Sequence, residues 1–316
     1  METISTRHGE LSVSGCLEWH PGGQLMSCAP AAEAVLHTSV GPLAPQHSTD
    51  DLRKRTVQAS QFHPNGQLRS LPLERPTEVD TPAGRLTAEL VTFHPDGSLS
   101  RVFPLNGKLS GYWTQEDEGG LAQPVALSTP LGNITARIIG VSFDPAGRLR
   151  SITLWPGETL AVPTPVGVLA ARVGVSFRAD GTVRCLEPAK PQPVPTPVGV
   201  INAYDLDAVG ISGDVNSLAF AADGGVERVA TSLTTLRVAH PGGGQEVFSP
   251  ASRESLCGDT DREPVPMLLT FGGGNVTIQR QPGTAPTVLP LGGRTFRTEP
   301  YLKLFAHPFG KMACAG

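Results

Sequence analysis

Aromatic and acidic side chains that could bind a ligand are concentrated in one short stretch. Tyr112 and Trp113 are followed closely by the acidic run Glu116-Asp117-Glu118. Aromatic rings beside carboxylates suit a sugar, a cation or a basic peptide, because the rings offer apolar contact and the carboxylates offer charge. Two carboxylates could also act as general acid and base, but neighbouring residues rarely converge on one bond. The competing interpretation is a solvated acidic cap on a short helix or turn, with Trp113 packed on a sheet.

A second aromatic–acidic pair could extend this candidate site. In the segment ITLWPGE (152–158), Trp155 and Glu158 stand at the end of an expected strand. Strand ends of this kind share one edge of the predicted sheet, so the pair could lie near the aromatic–acidic stretch. The structural alternative is protection of a sheet edge by charge and proline. That alternative also applies to Glu187-Pro188, which occupy the corresponding place one repeat later.

Three aspartates in the segment 202–217 superficially suggest a calcium-binding loop. They lack the glycine at the sixth position and the glutamate at the twelfth position of an EF-hand. We therefore favour a loop that wraps the end of a sheet, with a looser calcium or magnesium site as the alternative. The candidate binding residues of the whole chain are then Tyr112, Trp113, Glu116, Asp117, Glu118, Trp155, Glu158, Asp205, Asp207 and Asp214.

Cysteine and histidine offer two other possible metal sites. Cys16 and Cys28 are symmetric about a turn and should face each other across two strands, as small apolar neighbours, a redox pair or half of a metal site. Zinc sites usually need four ligands at short spacings. His20, His63 and His94 precede successive turns, about two strand spacings of ~4.8 Å apart, which is too far for shared ligation. We predict no catalytic residue, no metal site and no cofactor.

A repeated β-hairpin must position these residues. In LVTFHPDGSLSRVF (90–103), proline and aspartate fit a type I turn and Gly97 fits the left-handed position that closes a three-residue loop. This loop places Phe93 opposite Leu99, with Val91 on the same face of the strand pair. Six such turns are expected near 20–23, 63–66, 94–97, 144–147, 178–181 and 221–224.

A second turn alternates with the first. Its pattern Thr-Pro-x-Gly begins at Thr81, Thr129, Thr164 and Thr196, and each copy is followed by an apolar residue and then alanine. Alternation of two turn types predicts an all-β fold, a repetitive antiparallel meander with one turn type at each end of the sheet. We expect about 15–20 short strands in an elongated, twisted or curled sheet or a solenoid-like structure, because large open sheets tend to curl or split.

The repeats predict a single domain over residues 1–280. The spacing between turns is interrupted by an insertion at 104–127, which begins with Asn106-Gly107, a strong signal for a type I′ hairpin. The pattern decays after about residue 240, and we expect a weakly ordered tail over 281–316.

Charge and hydropathy exclude several classes of protein. The net charge is −4 and the longest basic run is Arg53-Lys54-Arg55, so no nucleic-acid surface is predicted. No stretch approaches the ~20 apolar residues of a membrane helix. The first ten residues contain no apolar run, so no export signal is expected, and we predict a cytoplasmic location.

Parts of the repeat resemble known hairpin families. Residues 62–70, FHPNGQLRS, resemble the hairpins of antitoxin-like relatives of MORN repeats, and LNGKLSG (105–111) resembles a MORN unit. Residues 10–280 also resemble a family of uncharacterised bacterial proteins, on the sequences at 104–118, 154–158 and 203–214. The MORN-like resemblance implies binding or scaffolding rather than catalysis.

Three functional hypotheses follow. The first is a non-catalytic bacterial binding or scaffold protein that recognises a protein partner or a small polar ligand around 104–127. The second is an enzyme that uses carboxylates of the same surface on a small polar or carbohydrate substrate. The third is a purely structural or assembly protein. Convergence of the aromatic and acidic residues in one place would favour a ligand site.

Overall fold

The computed structural model describes residues 2–15, 17–50, 52–208, 213–254 and 262–301. These residues divide into two compact units. The first comprises the described residues within 1–158, 176–182 and 211–214, and the second those within 159–175, 183–210 and 215–316. The expectation of one domain over 1–280 stays a prediction, because compactness does not test independent folding.

The first unit contains fourteen complete strands and the one helix found in the described residues. They are β1 (Glu2–Thr6), β2 (Gly9–Val13), β3 (Glu18–Trp19), β4 (Leu25–Cys28), β5 (Leu36–Thr38), β6 (Gly41–Leu43), β7 (Ser60–Phe62), β8 (Leu68–Thr81), β9 (Gly84–Phe93), β10 (Leu99–Phe103), α1 (Gln115–Leu121), β11 (Val125–Thr129), β12 (Gly132–Ala136), β13 (Ile138–Phe143) and β14 (Leu149–Leu154). The main sheet of this unit has the order β3-β4-β7-β8-β9-β10-β13-β14 and is antiparallel throughout.

The remaining strands follow in chain order. They are β15 (Leu160–Thr164), β16 (Gly167–Phe177), β17 (Val183–Pro188), β18 (Gln192–Thr196), β19 (Gly199–Ala203), β20 (Leu218–Phe220), β21 (Val226–Thr231), β22 (Thr234–Ala239), β23 (Gln245–Phe248), β24 (Ala251–Glu254), β25 (Arg262–Val265), β26 (Met267–Gly272), β27 (Asn275–Gln279), β28 (Thr287–Pro290) and β29 (Thr295–Pro300). The last two residues of β16 belong to the first unit. In the second unit, the antiparallel order β17-β20-β21-β26-β27-β28 forms a second stretch of meander. The all-β antiparallel meander is confirmed, with 29 strands in the described residues instead of the expected 15–20.

The aromatic hairpins have the predicted register. Phe93 pairs with Leu99, and the equivalent pairs form in four other copies. Gly97 adopts a φ of 86°, the left-handed conformation that closes the three-residue loop. Most of the aromatic residues then point into the core, where Phe62, Phe143 and Phe220 are at most 2% exposed, whereas Trp19 of the first copy is 51% exposed.

The threonine turns are closed by their own side chains. The Thr81 hydroxyl donates to the carbonyl oxygen of Gly84 at 2.6 Å and accepts from the amide of Ala83 at 3.1 Å. The same two bonds form at Thr129, Thr164 and Thr196. Thr6 and Thr38 make them too, although their turns lack proline, so sequence analysis missed two copies.

The simple meander predicted that every threonine turn lies at one end of the main sheet. The structure differs from this prediction. Four of the threonine turns join separate two-stranded sheets, β1-β2, β5-β6, β11-β12 and β18-β19. Strands β8 and β9 pair with each other both in the main sheet and in the hairpin that ends at the Thr81 turn. Their register shifts between Pro72 and Thr77, where one region passes into the other. A strand of 14 residues can leave one sheet and enter a hairpin in this way when its ladder is interrupted by such an irregularity.

The three turn histidines connect successive hairpins. Nε2 of His20 lies 3.0 Å from the carbonyl oxygen of Phe62, and the rings of His63 and His94 reach the carbonyls of Phe93 and Phe143 at the same distance. A carbonyl oxygen only accepts, so Nε2 is the donor in each case. These histidines therefore tie each hairpin to the next.

The expectation of a weakly ordered tail over 281–316 stays a prediction, and two regular strands lie within that range. Strand β28 pairs with β27, and β29 pairs with β22. The partner of β29 lies about 60 positions earlier in the chain, so no local sequence pattern marked it. Residues 302–316 lie outside the described part.

Candidate functional site

Helix α1 occupies the centre of the insertion, and its first turn explains part of the acidic run. The Thr114 side chain accepts from the amide of Asp117, and the Asp117 carboxylate accepts from the amide of Thr114 at 2.8 Å. This reciprocal pair is a capping box. Hydrogen bonds from the backbone and hydroxyl of Thr114 lower the pKa of the Asp117 carboxyl. Asp117 therefore starts the helix, and Glu116 remains exposed beside it.

Glu118 points inward and is bonded by four donors. Nε and Nη2 of Arg53 each reach one of its oxygens at 2.7 Å. The indole nitrogen of Trp113 donates to one oxygen at 2.6 Å, and the amide of Gly107 donates to the other at 2.8 Å. A carboxylate held by a bidentate arginine and two further donors has little capacity left for a substrate.

Arg53 also binds a second buried carboxylate, Glu89 on β9. Nη1 of Arg53 donates to Glu89 at 2.8 Å, the amide of Asn106 donates to it at 2.9 Å, and Lys54 lies 3.6 Å away. The four side chains Arg53, Lys54, Glu89 and Glu118, which we call the charge network, are all at most 13% exposed. Two cations balance two anions, so the network is neutral and internally satisfied.

The charge network corrects the predicted type I′ hairpin and weakens the hypothesis of a general acid in the acidic run. The type I′ hairpin at Asn106-Gly107 does not form, because the amides of both residues are bound by Glu89 and Glu118 and Gly107 lacks a positive φ. Burial by itself would raise the pKa of Glu118, but hydrogen bonds from Arg53, Trp113 and Gly107 outweigh it and lower the pKa. Glu118 therefore stays ionised, which suits a structural anchor better than a general acid.

Trp155 lies beside α1, as the shared-edge argument predicted. A Cβ built on Gly119 would meet the Trp155 indole nitrogen at 3.3 Å, so the helix surface and the indole are in close contact. Glu158 closes the turn after Trp155 and pairs with Arg137 at 2.7 Å. The structure thus brings Trp113, Glu118 and Trp155 to one helix.

The two adjacent glycines of α1 provide a matched pair for testing this contact. Gly120→Ala adds a methyl group into open space and is expected to stabilise the protein by about 0.5 kcal/mol through helix propensity. Gly119→Ala gains the same propensity but presses on Trp155, so we expect a smaller gain or a loss and a changed tryptophan emission. Thermal unfolding and fluorescence measure both variants. Identical behaviour of the two would contradict the packing of Trp155 on α1.

The outer side of the insertion presents apolar side chains to solvent. Leu109 and Tyr112 are 57% and 70% exposed, and Leu52 in the neighbouring loop is 53% exposed. That loop is joined to the insertion by the amide of Lys108, which donates to the carbonyl of Arg53 at 3.2 Å, and by Arg55, which lies 5.0 Å from the Tyr112 ring centre. We call Leu52, Arg55, Leu109, Tyr112 and Glu116 the insertion surface.

The three aspartates of the second candidate stretch have different partners. Asp214, in the first unit, binds Arg101 and Ser151. Asp207, in the second unit, forms a bidentate pair with Arg253 at 2.7 and 2.9 Å, and Asp205 accepts from the amide of Asp207. These contacts assign the aspartates to different local structures, and no group of three possible metal ligands occurs among the described residues.

A buried acidic site in the second unit was missed as a candidate. Glu187 on β17 is 2% exposed and accepts from the amide and hydroxyl of Ser217 at 2.9 and 2.8 Å. Arg172 donates to the carbonyl of Asp205 at 2.5 Å and lies 5.1 Å from the ring centre of Tyr204. Burial raises the pKa of Glu187 to about 7, and the hydrogen bonds from Ser217 act in the opposite direction.

One sequence signal could have found most of the missed residues. The position directly after the alanine that follows each Thr-Pro-x-Gly turn is occupied by a polar or charged side chain at Glu89, Arg137, Arg172 and Tyr204. Glu89, Arg137 and Arg172 each bind a connecting loop of their own unit, and Tyr204 lies against the Arg172 guanidinium. A polar residue repeated at a strand position next to a buried alanine marks an anchoring position.

Cys28 is buried, and burial raises the pKa of its thiol to about 11, which disfavours the reactive thiolate. Its expected partner Cys16 lies outside the described residues, so their pairing stays a prediction. No helix in the described part of the chain is long and apolar enough to cross a membrane.

Comparison with known proteins adds no identification. No protein-family model matches the sequence, and a search of curated proteins finds no match. The resemblance to MORN-type hairpins and to uncharacterised bacterial proteins therefore stays a prediction, and the function is inferred from the two sites described above.

Proposed function

We propose that this chain is a non-catalytic binding protein whose recognition surface is the insertion surface. The observation that carries the proposal is a contrast within one insertion. Its inner side is held by the buried charge network, whereas its outer side exposes Leu109 and Tyr112 to solvent. Exposed apolar side chains that cluster on a structured loop are typical of protein interaction sites.

The anchoring of the loop supports a binding role on energetic grounds. The charge network holds the 104–118 segment through Glu118, the amides of Asn106 and Gly107, and the indole of Trp113. A loop already fixed in its bound conformation loses less conformational entropy when a partner docks. The resemblance of residues 105–111 to a MORN unit is consistent with the same role.

The partner we propose is a protein segment that carries apolar and basic side chains. Asp50, Glu116 and Asp117 are exposed around the apolar residues, against the two exposed cations Arg55 and Lys108. Asp50, Asp117 and Arg55 already have partners but keep their charges, so three carboxylates stand against two cations and the surface is more negative than positive. Complementary charge gives specificity and speeds association, while the apolar centre supplies affinity.

Selection from a displayed random-peptide library on the purified full chain tests this proposal. We expect peptides with lysine or arginine next to leucine or phenylalanine. The double change Leu109→Ala/Tyr112→Ala should weaken the selected peptides at least about tenfold, because aromatic anchors dominate such interfaces. Glu116→Lys should weaken them too. Val35→Ala is the matched control, since Val35 is 51% exposed in the same unit but outside the insertion surface.

Four outcomes would contradict the proposal. Peptides that bind wild type and the double variant equally would place recognition elsewhere, and selection of acidic peptides would reject the charge argument. Self-association of the wild-type chain, measured by light scattering and lost in the double variant, would identify the occupant as a second copy. Saturable stabilisation by a sugar or nucleotide, lost in the same variant, would favour a small-molecule site.

A further inference from the structure

The second unit contains a buried carboxyl group that the proposed binding role does not use. Glu187 lies near the end of β17, and both of its oxygens accept from a single residue, Ser217. Ser217 precedes β20, which pairs with β17 through Leu186 and Leu218. The contact therefore closes the segment 215–217 onto the strand that carries Glu187.

A second group of residues lies near the same carboxyl, since Arg172 and Asp205 both act electrostatically on Glu187. Arg172 on β16 donates to the carbonyl oxygens of Pro188 at 3.2 Å and Asp205 at 2.5 Å. Its guanidinium lies against the Tyr204 ring, so β16, the end of β17 and the loop 204–208 are joined at one point. The amide of Leu206 in this loop donates to the hydroxyl of Ser232 at 3.4 Å.

The charges that face Glu187 come from three directions. Asp205 in the loop 204–208 disfavours its ionised form, and Arg172 on β16 favours it. Asp207 is neutralised by its bidentate pair with Arg253. Arg228 on β21 is directed to the carbonyl of Asn216 at 2.6 Å. The direct hydrogen-bond partner of Glu187, Ser217, is an uncharged side chain.

The backbone next to Arg172 is strained. Val173 has a φ of 58°, the left-handed region that a β-branched residue rarely adopts. Such a conformation persists only where the surrounding contacts maintain it. The contacts that Arg172 makes with Pro188, Asp205 and Tyr204 are the ones adjacent to the strained residue.

The two hydrogen bonds between Glu187 and Ser217 can form with Glu187 neutral or ionised, but burial disfavours the ionised form. A neutral Glu187 can donate its proton to the Ser217 hydroxyl while its other oxygen accepts from the Ser217 amide, because a hydroxyl both donates and accepts. An ionised Glu187 keeps two hydrogen bonds but remains buried beside the half-buried Asp205. Burial of a charge without a direct counter-ion is strongly unfavourable.

We propose that Glu187 and Ser217 form a proton-operated latch, which holds the segment 215–217 and the loop 204–208 closed while Glu187 is neutral and releases them when it ionises. Release lets water reach the charged carboxylate. Because burial raises the pKa of Glu187 to about 7, the change falls near neutral pH. The latch would make the exposure of these two segments sensitive to pH, independently of the insertion surface.

Hydrogen exchange of the full chain across pH 5.5–8.5, followed by mass spectrometry and corrected for intrinsic rates, tests the latch. As the pH rises towards about 7 we expect protection of peptides that cover 204–208 and 215–219 to fall by roughly tenfold per pH unit, since each opening then releases one proton, and to level off above about 7, where the closed state is already ionised. In Glu187→Gln, which resembles the neutral acid in shape and hydrogen bonding, protection should not fall. Peptides from β26 and β27 are the internal control.

Two results would overturn the latch. One is protection that is independent of pH in the wild type, and the other is the same fall in Glu187→Gln. A second variant keeps the test valid if Glu187→Gln fails to fold. Asp205→Asn removes the charge that opposes ionisation of Glu187, so the pH at which the fall levels off, taken as its midpoint with the plateau, should move lower. An unchanged midpoint would show that Asp205 does not act on Glu187.

Discussion

Replacing Arg53 by methionine should lower the free energy of unfolding by about 3–5 kcal/mol, because two buried carboxylates lose their principal counter-ion. Glu89 and Glu118 are 3% and 5% exposed, and both bond directly to Arg53. Lys54 lies 3.6 Å from Glu89 and compensates only part of this loss. Urea unfolding at pH 7, followed by circular dichroism, measures the change. Tryptophan emission should change as well, because Trp113 donates to Glu118.

Arg85→Met is the matched control for Arg53→Met. Arg85 also contacts two carboxylates, those of Glu78 and Asp80, but its side chain is 64% exposed. Exposed ion pairs contribute little to stability, so we expect no resolvable change in that variant.

A second comparison separates charge from packing. The double change Arg53→Met/Glu118→Gln should recover most of the lost stability, since it leaves Glu89 paired with Lys54 and no uncompensated charge in the network. If Arg53→Met were as stable as Arg85→Met, the charge network would not anchor the insertion. The structural support for the proposed binding surface would then be lost.

The hairpins were predictable because their information is local. In Phe93-His94-Pro95-Asp96-Gly97, each residue type selects a turn position, and the register Phe93–Leu99 follows from the loop length. The threonine turns were found for the same reason wherever proline was present. At Thr6 and Thr38 the side-chain bonds alone define the turn, so a pattern that required proline missed them.

The insertion was less predictable because contacts distant in sequence decide its conformation. Asn106-Gly107 has a strong intrinsic preference for a tight turn, yet its amides bind carboxylates 17 and 11 positions away. Arg53, which organises the site, lies 65 positions before Glu118. Sequence analysis treated Arg53-Lys54-Arg55 only as a basic run, since nothing nearby shows that two of its charges are buried.

The candidate site was partly foreseen. The grouping of Trp113, Glu118 and Trp155 followed from the argument about shared strand ends, and the contact of Trp155 with Gly119 agrees with it. Glu187 was interpreted as edge protection, because a glutamate before a proline at a strand end usually faces solvent. Its burial results from Ser217, which lies 30 positions later in the chain.

The stability of the second unit should depend on pH through Glu187, and Glu187→Gln should remove that dependence. The pKa of this carboxyl is about 7 in the folded protein, against 4.5 for an ordinary glutamate. The folded state therefore holds a proton that the unfolded state releases between these values. A raised folded pKa gives stability that is fully present below about pH 4.5 and is lost as the pH rises through about 7.

The change in the free energy of unfolding follows from the shift in the pKa of Glu187. At pH 8.5 the wild type should have lost roughly 3 kcal/mol relative to acidic conditions through this one group, less if local opening relieves the charge first. Glu187→Gln should therefore be more stable than wild type at pH 8.5 and about equally stable near pH 5. Chemical unfolding at a series of pH values measures both curves, and their difference isolates Glu187 from other titrating groups.

Glu227→Gln provides the control, because Glu227 lies on β21 of the same unit and is exposed. Its difference curve against wild type should be flat over the same pH range. A flat difference curve for Glu187→Gln as well would mean that Glu187 is ionised at little cost in the folded protein. Stabilisation by Glu187→Gln that is confined to alkaline pH would instead show that the fold tolerates a buried carboxylate only at a cost in stability. Such a residue suits a switch better than a purely structural position, where glutamine would serve equally at every pH.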